Sequence, residues 1–182
     1  MKVGYFSSYD RGLDCLLDMW PEIKKLVPEA ELHIYYGWNI FDKVARGNTE
    51  LGKFKFGVLR KLHDLKDSVT EHGRVSHEEL AKAMKECKVW AYPTEFNEIN
   101  CITALKAQEA GLIPVTTDCY ALEETVVDKT FTVPCKDIYT NKKKQREFIQ
   151  AVANACKSSH KVKPVPGVSW SEVAEQWVSY AS

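Results

Sequence analysis

The segment Ser7-Ser8-Tyr9-Asp10-Arg11-Gly12 sets two hydroxyls and a guanidinium directly before a stretch with helical periodicity. The first N–H groups of a helix have no acceptor within it. Hydroxyls, guanidinium and amides would therefore converge here on an anion. The same residues also suit an ordinary strand-to-helix turn with Ser and Asp as caps, and spacing alone leaves both readings open. There is no Gly-x-Gly-x-x-Gly and no Gly-Lys-Ser/Thr at this turn, so neither a dinucleotide fingerprint nor a P-loop is supported. A second loop, Pro93-Thr94-Glu95-Phe96-Asn97-Glu98-Ile99-Asn100-Cys101, leads into a helix predicted to begin near Ile99. The amides of Asn100, Cys101 and Ile102 would then be donors suited to a phosphate. Glu95 and Glu98 would repel a phosphate but can accept hydrogen bonds from sugar hydroxyls. That both acids merely complement a helix dipole is an equal reading of the residue types.

Other candidates carry less. His72 and His77 flank a strand end with no third ligand near them, a thin basis for a metal site. Lys142, Lys143, Lys144 and Arg146 read as a solvated helix face. The six cysteines (15, 87, 101, 119, 135 and 156) lie far apart with no Cys-x-x-Cys, which suits neither zinc nor a disulfide framework. Reduced thiols filling the core of a cytosolic protein are the expectation. Trp170 and Trp177, seven apart, read as docking the last helix.

Short β-branched and aromatic runs alternate with amphipathic stretches, and these must position the two loops. Strands are predicted at Val3–Phe6, Leu32–Tyr36, Val69–His72, Val89–Tyr92, Ile113–Thr116 and Phe131–Val133. Leu13, Leu16, Leu17, Trp20, Ile23 and Leu26 recur at helical spacing, predicting a helix over 12–26 that Pro28 ends. One or two surface helices are expected within 39–68. Ser76-His77-Glu78-Glu79 is a capping box opening a helix over 77–86. Further helices are predicted at 99–110, 122–126, 143–157 and 171–180, with Gly111 as a left-handed stop and a loop through Pro164, Pro166 and Gly167 before the last. Alternation of this kind predicts a doubly wound, Rossmann-like parallel sheet with helices on both faces, a fold that binds ligands beyond the carboxyl ends of its strands.

The 182 residues, 45% apolar, suit one domain with a real core. The 25 basic and 25 acidic residues balance, which argues against a surface built for nucleic-acid phosphates. No apolar run approaches the roughly 20 residues of a membrane span. The start, Met-Lys-Val-Gly-Tyr-Phe-Ser, turns polar too soon for a secretory signal.

In order and spacing, four stretches resemble the C-terminal, donor-binding domain of retaining GT-B-fold glycosyltransferases of the family-4, or group 1, kind. Ser7 through Asp14 is similar to the first phosphate-binding turn with its "G-L-D-x-L-L" helix. Pro28-Glu29-Ala30-Glu31-Leu32-His33-Ile34 resembles a "P-D-A-x-L-x-I" strand entry. His72 through Leu80 resembles the "G-x-V-s-x-e-e-L" segment that frames the nucleotide base. Tyr92-Pro93-Thr94 through Glu98, with Ala107 and Gly111 to Val115, resembles the "Y-P-S…E-G-F-G…E-A-x-A-x-G-x-P-V" core.

The resemblance implies that residues 1–182 are a single nucleotide-sugar domain, half of a GT-B fold, with the N-terminal acceptor domain supplied in cis or trans. Arg11 would hold the donor diphosphate, with Ser7 and Ser8 beside it. Backbone at Arg74 and Val75 would meet the base. Glu98, first of the E-x7-E signature, would hold sugar hydroxyls, and Asn100, Cys101 and Ile102 would offer amides. The second signature Glu, a ribose ligand, falls on Lys106 here; Ile99 and Cys101 replace two glycines. Eight residues from Glu98, Lys106 is expected on the same side of the 99–110 helix. The implied reaction is transfer of a sugar from a nucleotide diphosphate to an acceptor hydroxyl with retention, without metal or cofactor, in a cytoplasmic enzyme whose donor half is inactive alone. No nucleic acid is expected as partner, and membrane contact only peripherally through the full enzyme. The alternative is a degenerate, non-catalytic nucleotide- or protein-binding module of this fold, which Lys106 favours. A nucleotide-sugar epimerase is disfavoured by the Glu98 core.

Overall fold

The computed structural model describes residues 1–162, 165–166 and 169–181. The expected loop residues Pro164 and Gly167 lie outside these. Strands β1 (Lys2–Tyr5), β2 (Glu31–Tyr35), β3 (Val69–Gly73), β4 (Val89–Tyr92) and β5 (Ile113–Thr116) form one parallel sheet in the order β3-β2-β1-β4-β5. Register runs Val3 opposite Leu32 and Val89, and Val89 opposite Ile113. The expected doubly wound architecture is present, and its order reverses at β1, between β2 and β4.

Helix α1 (Leu13–Leu26) follows β1 and buries Leu13, Leu16, Leu17, Trp20 and Ile23 as its spacing predicts; Leu26, at its end, stays exposed. α2 (Asn39–Val44) and α3 (Thr49–Asp64) fill the polar region, and Asn48 caps α3 through the amides of Glu50 and Leu51. α4 (His77–Glu86) opens on the predicted capping box, with the Ser76 and Glu79 side chains each accepting the other's amide. α5 (Ile102–Glu109) and α6 (Leu122–Thr125) precede α7 (Lys142–Lys157) and α8 (Trp170–Ala181). α1 touches α3 and α7 on one side of the sheet, whereas α5 packs on β5 and α6. Right-handed crossovers account for the separation, because connections running from β1 toward β3 and from β4 toward β5 must lie on opposite faces. Strands β4 and β5 are buried throughout, as strands covered on both faces must be.

Three expectations fail locally. Phe131–Val133 is not a strand: a turn closes from Thr132 to Lys129, and Val133 alone bridges to Thr117 beyond the end of β5. Trp170 and Trp177 do not dock α8. They are 88% and 73% exposed, and no residue of α8 is buried. The helix expected from Ile99 begins three residues later, for reasons that lie in the site itself.

Candidate functional site

The loops after β1 and β4 flank the point where the strand order reverses, the usual ligand crevice of such sheets. Gly12 brings them together. It has φ 113°, and a Cβ there would stand 2.1 Å from the Pro93 carbonyl oxygen, so only glycine lets the first turn lie against the second. The turn is closed by the Arg11 amide donating to the Ser8 carbonyl at 3.0 Å. The Tyr5 hydroxyl donates to the same carbonyl at 2.7 Å. Ser7 is buried at the strand end and Ser8 half-buried.

Across this contact Arg11 meets Glu98. One guanidinium nitrogen, Nη1, donates to both carboxylate oxygens, at 3.2 and 3.4 Å. The guanidinium also lies over the Phe96 ring, 3.8 Å from its centroid. Glu98 is buried and takes a third hydrogen bond, 2.7 Å, from the Tyr92 hydroxyl. Burial acts most strongly, against the Arg11 charge, but Glu98, Tyr92, Asp10 and Tyr36 together outweigh it and hold the pKa above the ordinary value. Burial, then the bond to Glu98, pushes the Tyr92 hydroxyl up, so it remains a donor.

Pulling Glu98 into this contact takes the following residues out of helical register. Ile99 is 95% exposed, the Ile102 amide donates to the Asn100 carbonyl, and Cys101 is the N-cap of α5. The buried Cys101 thiol faces the amides of Ala104 and Thr103, with its pKa pushed up to about 11 by burial. Of the three amides expected to bind phosphate, that of Ile102 is engaged internally, while those of Asn100 and Cys101 make no hydrogen bond to other described backbone. Glu95 does not join Glu98: it holds the backbone of Tyr139, whose hydroxyl accepts the Glu95 amide.

The other half of the crevice is a cavity of about 270 Å³ walled by Phe6, Tyr35, Tyr36, Arg74, Val75 and His77. Arg74 and Val75 thus stand on a pocket with aromatic sides. Lys106 is not on a common helix face with Glu98, which precedes α5. It lines a groove of about 360 Å³ between α4 and α5 with His77, Leu80 and Met84.

His72 stacks on Tyr35 at 4.3 Å and shares a 2.9 Å hydrogen bond with His33. Among the described residues no group of three or more His, Cys, Asp or Glu could hold a metal. All six cysteines are buried and unpaired. Burial pushes the thiols of Cys15 and Cys135 to about 12 and those of Cys87 and Cys156 to about 11, which suits core filling and not nucleophilic attack. On α7, Lys142, Lys143 and Arg146 are exposed and Lys144 pairs with Glu147 at 2.8 Å, the solvated face expected. The contribution of Phe96 under the Arg11 guanidinium was not singled out in the sequence; the interleaving of Tyr and Phe with the charged residues of the loop is the signal that could have drawn attention to it.

The fold is Rossmann-like with a paired Arg and Glu at its switch point, and comparison places the chain in a family. The family of glycosyl transferases, group 1, matches residues 1–158, and the chain belongs to it. A search of curated protein sequences gave no significant match. Among solved structures, the pneumococcal O-GlcNAc transferase GtfA, in complex with UDP and GlcNAc, matches 98% of this chain and 35% of its own with a TM-score of 0.64 at 14% identity. Anabaena HepE in complex with UDP-glucose matches 99% of this chain and 48% of its own, TM-score 0.58, 16% identity. S. aureus TarM matches 98% and 34%, TM-score 0.58, 16% identity. The chain therefore spans between a third and a half of these proteins. No helix among the described residues is long and apolar enough to cross a membrane.

Proposed function

We propose that this domain holds a nucleotide-diphosphate sugar for a retaining glycosyltransferase. The base enters the cavity walled by Tyr35, Tyr36, Arg74 and Val75. The diphosphate lies at the Ser7–Gly12 turn, and the sugar reaches Glu98. The meeting of Arg11 with Glu98 at the switch point, next to that cavity, carries the reading. The carboxylate accepts bonds from sugar hydroxyls. Arg11, which uses only Nη1 on Glu98, keeps donors for the diphosphate. As the glycosidic bond to the diphosphate breaks, charge grows on the leaving oxygen. Arg11 and the amides of Asn100 and Cys101 stabilise it, in the role a metal plays elsewhere. The acceptor hydroxyl comes from a second domain, in cis or trans, on the cytoplasmic side of any membrane the whole enzyme serves.

Calorimetric titration with UDP, UDP-glucose, UDP-GlcNAc and guanosine analogues tests the site. Micromolar-to-millimolar binding of at least one, weakened about tenfold by loss of the charge-assisted Arg11 contact in Arg11→Ala, supports it. Equal affinity for both proteins removes Arg11 from the diphosphate. The second reading, binding without transfer, is favoured by Lys106 in the α4–α5 groove, since an ammonium cannot accept from a ribose diol. Transfer assays with and without a co-expressed acceptor half separate the two.

A further inference from the structure

We infer that Tyr9 is a positioning residue that locks the turn carrying Arg11 to the loop after β2 and, through Glu71, to strand β3, which leads into the Arg74 wall of the base cavity, so that a nucleoside diphosphate meets the two ends of the site in register. The inference rests on the donor-site reading above. The Tyr9 hydroxyl donates to Glu71 on β3 at 2.8 Å and accepts the amide of Gly37, just past β2, at 3.0 Å. The ring meets Trp38 edge-on at 4.6 Å. The two cavity loops are themselves joined. Tyr36 donates its amide to the Gly73 carbonyl at 2.9 Å. Gly37 has φ 80°, and a Cβ there would stand 2.9 Å from the Arg74 nitrogen.

One phenol therefore ties the loop after β1 to the loop after β2 and to strand β3, and its residue lies two positions before Arg11. Tyr9 is buried outside the base cavity, so it acts through the loops and not by touching the base. Phenylalanine would fill the same space against Trp38. It could not supply the acceptor, and the buried Gly37 amide would be left without one. Burial, then Glu71, pushes the hydroxyl pKa up, which keeps the proton on the oxygen and the bond to Glu71 made.

A lock between two half-sites predicts a non-additive loss. A ligand spanning both ends must itself order loops the lock no longer holds, whereas a fragment that touches one end orders only that end. The test measures affinities of wild type and Tyr9→Phe for UDP, uridine and inorganic pyrophosphate by NMR titration, with amide hydrogen exchange on both proteins. The expected result is UDP weakened about tenfold, beyond the combined losses for the two fragments, the order of one neutral hydrogen bond and an orphaned amide. The Gly37 amide should exchange faster while β1 and β4 are unchanged.

A UDP affinity within about twofold of wild type, or a loss that the fragments reproduce, overturns the inference. If wild type binds no UDP, the donor-site reading fails and the exchange data alone judge the lock. Faster exchange in both the 8–12 and 73–75 loops sustains it, and unchanged exchange at Gly37 overturns it. Should Tyr9→Phe not fold, Glu71→Ala, at an exposed position, removes the arm to β3 while the Gly37 amide keeps its acceptor. The UDP and fragment affinities are then read as before, and a UDP affinity within about twofold of wild type, or a loss that the fragments reproduce, overturns the inference.

Discussion

Glu98→Gln separates the two duties assigned to Glu98, because it should move two ligands in opposite directions. The carboxylate meets Arg11 through Nη1 alone, at 3.2 and 3.4 Å, without the two-nitrogen fork of a strong bidentate pair. The Arg11 side chain is 33% exposed, so solvent screens the pair and its worth is about 1 kcal/mol or less. Glutamine keeps an oxygen for the Tyr92 hydroxyl, so the buried position gains no orphan and the fold should melt within a few degrees of wild type. With the pair broken, Arg11 is wholly available to a diphosphate, and bare UDP should bind tighter by up to about 1 kcal/mol, roughly fivefold. A UDP-sugar also gains the freed Arg11 but loses its hydrogen bonds to a charged acceptor, about 1.5–3 kcal/mol. The affinity ratio of UDP-sugar to UDP should therefore fall by about 10- to 150-fold. Calorimetry with UDP and UDP-glucose on both proteins reads this ratio directly. A ratio unchanged by the substitution would show that Glu98 does not touch the sugar, and weaker binding of bare UDP would show that the pair helps to place Arg11 and does not compete for it.

Gly12→Ala should be among the costliest changes. Left-handed strain of about 1–3 kcal/mol adds to a Cβ overlapping the Pro93 carbonyl, so a loss of at least about 3 kcal/mol, a fall in Tm of roughly 6–12 °C, is expected in a thermal melt; a fall under about 2 °C refutes the close approach. Burial lowers the pKa of His33 and, together with the charge on His33, that of His72, below the ordinary 6.5. The unfolded chain then binds more protons, so stability should fall as pH drops from about 6.5 toward the folded values, beside Lys2, Glu31 and Glu86; denaturant melts of His33→Gln/His72→Gln should show a flatter slope there, and an unchanged slope refutes this. Lys106→Glu should tighten nucleotide-sugar binding by about 1–2 kcal/mol if the groove it lines reaches the ribose, and loosen it if Lys106 serves a phosphate. No change for any nucleotide tested would place Lys106 outside the site.

Where a structural cause is local, the sequence announces it. Ser76 and Glu79 are three apart and cap each other as their spacing requires. The apolar period of α1 and the wholly apolar Val89–Tyr92 run translate directly into burial. The failures have distant or competing causes. Ile99 reads as a helix start because its neighbours allow one, but Glu98 is held by Arg11, 87 residues away, and by Tyr92, so the chain cannot turn helical until Cys101. Phe131–Val133 has strand-like residues, yet a turn at Lys129–Thr132 leaves only Val133 in reach of Thr117. Trp170 and Trp177 announce an apolar helix face without saying what covers it.

The same distinction explains the site. Arg11 and Glu98 each read as candidate ligand groups, one for an anion and one for hydroxyls, because residue type fixes what a side chain can donate or accept. Their mutual contact was not legible, since it depends on two loops that the reversal at β1 brings side by side and on Gly12 letting them touch. A buried carboxylate needs partners, and here they are a phenol and a guanidinium. On the proposed reading, in which Arg11 takes the diphosphate and Glu98 the sugar, the two roles are energetically coupled before any donor arrives, so that affinity for phosphate cannot be tuned at Arg11 without also changing what Glu98 offers a sugar.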